Sequence, residues 1–124
     1  MKYLVVEVRF NFYTSGKDKN VQNDTRRYLM GLEHPKVPEK VNEVVGYPVL
    51  EPAFFSLIKD PRGIKGAGYN LARGATAFYF YMGRDEMLDR TIKALDDVLS
   101  SLKTKEHLKW RLYRIYTAEE VVER

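Results

Sequence analysis

Residues 3–13, YLVVEVRFNFY, decide how this chain folds. Their even positions, Leu4, Val6, Val8, Phe10 and Phe12, are all apolar, whereas the odd ones include Tyr3, Glu7, Arg9, Asn11 and Tyr13. Successive side chains of a strand point to opposite faces. The alternation therefore predicts a strand with one greasy face and one aromatic, polar face. Residues 76–82, TAFYFYM, alternate in the same way. The predicted core residues there are Phe78, Phe80 and Met82, with Tyr79 and Tyr81 turned outward. In residues 108–116, LKWRLYRIY, the reading buries Leu108, Trp110 and Leu112 and exposes Lys109, Arg111 and Tyr113.

Between these strands the chain carries helix and turn signals. Residues 14–20 are a polar loop. Asn23 or Asp24 is placed to cap a short helix carrying Tyr28, Leu29 and Leu32, stopped by Pro35. Pro38 suits the first position of a second short helix, with Val41, Val44 and Val45 on one side and Gly46 at its end. Residues 53–59 read as another strand. Asp60-Pro61-Arg62-Gly63 is a turn signature that opens a loop reaching to Gly74. Asp85 is expected to cap a helix over residues 85–103, in which Leu88, Ile92, Leu95, Leu99 and Leu102 form one stripe. The order strand, helices, strand, strand, helix, strand predicts an α+β fold in a single domain. Its expected form is a ferredoxin-like split βαβ, a four-stranded antiparallel sheet with helices packed on one face.

A chain of 124 residues is long enough to bury a core without covalent staples. It contains no cysteine, which excludes disulfides, thiolate metal sites and cysteine nucleophiles. Its first residues reach a charge too soon for a signal peptide, and no apolar run approaches membrane-spanning length. An intracellular location with no membrane partner is expected. Gln22 is the only glutamine, while Lys, Arg and Glu are plentiful, a tendency of hyperthermophile proteins.

The formal net charge is +4, and it is unevenly spread. Residues 59–74 carry +3, from Lys59, Arg62, Lys65 and Arg73 against Asp60. Residues 103–116 carry +4, from Lys103, Lys105, Lys109, Arg111 and Arg114 against Glu106. Concentrated positive charge points to an acidic partner. Tyrosines that stack on bases, beside cations that neutralise phosphates, are a recognised single-strand binding surface. The third strand, Arg73-Gly74-Ala75-Thr76-Ala77-Phe78-Tyr79-Phe80, resembles that of the RNA-recognition motif at Arg73, Gly74 and Phe80. It departs from that motif at Ala75 and Ala77, where the stacking aromatics stand.

Other chemistry is poorly represented. The glycine-rich loop of residues 62–70 enters a strand rather than a helix, so it is not a P-loop or dinucleotide fingerprint. His34 and His107 lack partners at ligand spacing, and no serine lies in a nucleophile elbow. No cofactor, metal or catalytic residue is expected. The sequence therefore predicts a non-enzymatic binder of RNA or single-stranded DNA. Its surface would comprise Tyr3, Arg9, Tyr13, Tyr79, Tyr81, Lys109, Arg111 and Tyr113 on the sheet, with Lys65 and Arg73 from the loop. The alternative is a homodimeric regulatory module of an archaeon or archaeal virus, joined through the sheet face or an edge strand. A metal-dependent nuclease is a third, weaker reading.

Overall fold

The computed structural model describes residues 2–11, 19–53 and 74–119. They form four strands and three helices: β1 (Lys2–Phe10), α1 (Lys19–Leu29), α2 (Val37–Val45), β2 (Leu50–Ala53), β3 (Gly74–Tyr81), α3 (Leu88–Lys103) and β4 (Trp110–Glu119). Short 3-10 turns, Asp85–Met87 and Glu106–Leu108, lead into α3 and β4. The strands make one sheet in the order β2-β3-β1-β4, with every neighbouring pair antiparallel. β1 and β2 therefore run the same way on either side of β3. Likewise β3 and β4 run the same way on either side of β1.

The main core lies between the sheet and the helices. Leu4, Val6, Val8 and Phe10 of β1 meet Val21 and Leu29 of α1, Val37, Val41 and Val45 of α2, and Leu95, Leu99 and Leu102 of α3. In α1 the buried side chains recur every fourth residue, at Val21, Thr25 and Leu29, which lines one helix face. Asn23 and Asp24 stand inside this helix, which begins at Lys19, and not at its cap. In α3 the expected stripe is buried at Leu95, Leu99 and Leu102, while Leu88 and Ile92 pack at its rim. Asp85 makes no capping bond there; its carboxylate lies 3.4 Å from Lys2 Nζ at the surface.

α2 has Pro38 in its first turn and ends at Gly46, whose φ of 84° is left-handed backbone that suits glycine. Val44 is exposed rather than sharing the buried side with Val41 and Val45. The Asn42 side chain ties α2 to the next strand. Its Oδ1 accepts from the backbone N–H groups of Val49 and Leu50, at 3.0 and 2.9 Å, and its Nδ2 donates to the Leu50 carbonyl at 3.1 Å. These bonds start β2 at Leu50, earlier than the strand expected over residues 53–59, of which 54–59 lie outside the described residues. Asn42→Ala leaves the two N–H groups without that acceptor. A loss of about 1–3 kcal/mol in urea unfolding is expected.

Candidate functional site

The register of the central strands settles which side chains face which way. Leu4 stands opposite Tyr79 and Val6 opposite Ala77, so the odd residues of β3 share the helix-covered face. Tyr79 and Tyr81 are accordingly in the core, which corrects their expected place on an outer stacking surface. Each has a physical reason to be there, because its hydroxyl finds a carbonyl. Tyr79 Oη donates to the Leu29 carbonyl at 2.5 Å, and Tyr81 Oη donates to that of Arg84 at 2.6 Å. Burial pushes the Tyr79 phenol far above the usual tyrosine range. Glycine at position 83 makes room for Tyr81, whose hydroxyl would lie 2.6 Å from a Cβ there.

Tyr113 is also turned toward the helices. The β1–β4 register shifts at Arg9/Phe10: Phe10 is opposite Trp110, yet Arg9 is opposite Leu112. One extra residue, Arg111, enters β4 there and reverses the alternation that follows. Trp110 is buried in the main core, as expected. Beyond the bulge, Leu112 faces outward and is 39% exposed, while Tyr113 and Ile115 face α3. Tyr113 Oη lies 2.5 Å from both Asp96 Oδ1 and Ser100 Oγ. Burial, together with the bond to Asp96, raises its phenol.

The opposite face of the sheet carries a second apolar cluster: Tyr3, Val5, Ala53, Phe78 and Ala118, with Phe80 and Tyr116 packed against it. Tyr3 does lie on this face, but it is only 2% exposed and packs on Phe80, with ring centroids 5.3 Å apart. It offers no open ring for a base to stack on. Beside the cluster, the register aligns Thr76, Glu7 and Arg114 in a row. Arg114 Nη2 donates to the buried Glu7 carboxylate at 2.7 Å, and its guanidinium lies 5.1 Å from the Tyr116 ring centre. That hydrogen bond holds the Arg114 guanidinium even more firmly protonated. Burial, then hydrogen bonding to Glu7, raises the Tyr116 phenol. Sequence reasoning missed this trio. Its only signal was an acid set among valines in β1, and its partner stands 107 residues away.

The remaining expected cations do come together, at one end of the sheet. Arg9 is half-buried at the end of β1, beside Leu112. The adjacent Asn11 N–H donates to the Lys109 carbonyl at 2.8 Å. Lys109 adopts left-handed backbone with a φ of 55°, which turns the chain from the 3-10 turn into β4. Arg111 projects from the bulge into solvent, and Lys103, Lys105 and His107 are also exposed. Arg9, Lys109 and Arg111 are thus brought to the same end of the sheet by the backbone pairing of β1 with β4, with Arg9 on the face away from the helices. Tyr13, Lys65 and Arg73 lie outside the described residues.

Among the described residues, no group of three or more His, Asp or Glu side chains is placed to hold a metal ion. No described helix is long and apolar enough to cross a membrane. Set against known proteins, the chain matches no family model, no curated sequence and no solved structure.

Proposed function

We propose that this chain is a small nucleic-acid-binding protein built on the ferredoxin-like split βαβ plan, and that it grips RNA or single-stranded DNA at the basic corner of the sheet. The plan is supported by the interleaving of β1 with β2 and of β3 with β4 across the antiparallel sheet. One observation carries the functional reading. The junction between α3 and β4 carries Lys103, Lys105, Lys109 and Arg111, with Glu106 the only acid between residues 103 and 111, and it leads into β4 where Arg9 stands opposite Leu112.

Such a cluster neutralises phosphates, and its affinity comes from released counterions. The junction is pinned by Leu108, which is fully buried, so the cations sit on a fixed frame. Arg114 contributes less, because Glu7 already occupies it. The aromatic residues of the sheet are committed to packing, so charge rather than stacking dominates this mode of binding.

Retention of single-stranded RNA or DNA at low salt, measured by anisotropy across a salt series, tests the proposal. The triple change Lys103→Ala, Lys105→Ala and Lys109→Ala is expected to weaken binding. It should also make the slope of log K against log salt shallower by about 2, at roughly 0.7 per lost contact on a single strand. No retention by the wild type at low salt, or an unchanged slope in the variant, overturns it.

A further inference from the structure

The two edges of the sheet are unlike each other. β2 is four residues long and contains Pro52, which has no N–H to offer a new strand. β4 is ten residues long and contains no proline, and among the described residues it pairs only with β1. Long, unprotected edges invite another strand. Alongside β4, toward α3, runs a groove of about 420 Å³. Its half-buried apolar floor is Ile92 and Ile115, and Asp89, Asp96 and Lys93 also line it.

We propose that β4 is a homodimer interface, at which a second copy of this chain adds its own β4 antiparallel about a two-fold axis at Ile115. A two-fold perpendicular to the sheet keeps both helix layers on one side. It also requires each residue to meet one from the same face, so the axis must pass through a residue of the strand. An axis at Arg114 would set two arginines directly opposite each other, which is destabilising. An axis at Tyr116 would set Arg114 opposite Ala118 and give up the pairing of Arg111 with Glu119.

The axis at Ile115 instead pairs every position from Arg111 to Glu119. Ile115 meets its own copy above the apolar groove floor, Tyr113 meets Thr117, and Leu112 meets Ala118. Arg114 faces the ring of Tyr116, a favourable cation–aromatic pair. Arg111 faces Glu119, so opposite charges close both ends of the joint. The bulge at Arg111 marks where the paired stretch begins.

The chain has no cysteine, so single substitutions report this register without background. In antiparallel pairs, directly opposite Cα atoms lie about 4.5–5.5 Å apart, within disulfide range. Ile115→Cys should therefore be captured as a covalent dimer by mild oxidation with diamide. Two copies of Thr117→Cys would be four residues out of step, roughly 13 Å apart along the strand, and should stay uncrosslinked. Light scattering on the untagged wild type should return twice the chain mass. A monomeric wild type overturns the proposal. So does a dimer in which residue 117 crosslinks as readily as residue 115, or in which neither crosslinks. Arg111 belongs to both surfaces, but neither Ile115→Cys nor Thr117→Cys alters it and the salt-series variant alters only Lys103, Lys105 and Lys109, so the two experiments fail independently.

Discussion

Replacing Tyr79 by Ala is expected to lower the unfolding free energy by about 3–5 kcal/mol, the range for emptying a large aromatic site in a core. Tyr79→Phe keeps the ring but removes the donor to the Leu29 carbonyl, and should cost about 1–3 kcal/mol. A tyrosine turned to solvent would give a change within about 0.5 kcal/mol for either variant. Urea unfolding of the two variants therefore reads out which way the strand faces. The same residue predicts behaviour in alkali. Its phenol is raised in the folded state by burial, whereas an unfolded tyrosine ionises near its usual pKa of about 10. The unfolded chain thus loses a proton that the folded chain keeps, and stability falls as pH rises above that point. The stability gap between wild type and Tyr79→Phe should be full at neutral pH and narrow above about pH 10.

Trp110 should be the second most sensitive position. Its indole is packed in the main core, and its Nε1 donates to Thr25 Oγ1 of α1 at 2.9 Å. Trp110→Ala is expected to cost about 3–5 kcal/mol. Thr25→Ala leaves the indole N–H buried without this partner and should cost about 1–3 kcal/mol. Trp110 is the only tryptophan, so its fluorescence follows unfolding and the loosening of α1 in Thr25→Ala directly. With Tyr79, it holds α1 to the sheet by two side-chain hydrogen bonds, one near the helix centre and one at its end.

The α+β class and the long helix were legible because their signals are strongly periodic. Residues 4–10 alternate cleanly, and their even members do face the helices. In β3 the period was legible but its phase was not. Phe78 and Tyr79 are both large and mostly apolar, so alternation alone does not say which of them is inside. The register against β1 decides it, and a slip of one residue flips every side chain. In β4 a trace of the bulge was present. The large apolar positions change parity, from Leu108 and Trp110 to Tyr113 and Ile115, and such a change implies an inserted residue. The basic corner was legible as charge in the sequence. That Arg9 joins it, while Arg114 is occupied by Glu7, depends on pairing across more than a hundred residues.

The pairing of β1 with β4 has a consequence for how the chain acquires its fold. Glu7 and Arg114 are separated by 107 residues, and of the strands that flank β1, β3 is made after α1 and α2 and β4 after all three helices. Closing so long a loop comes before any reward from the contacts, and folds dominated by distant pairings form slowly. During synthesis, β1 therefore waits without neighbours while apolar on both sides, with Leu4, Val6 and Val8 on one and Tyr3 and Val5 on the other. Such a segment is prone to self-association. Glu7 and Arg9 interrupt it, and charges so placed act as gatekeepers against that association. Before Glu7 has met Arg114, its charge already protects the nascent chain.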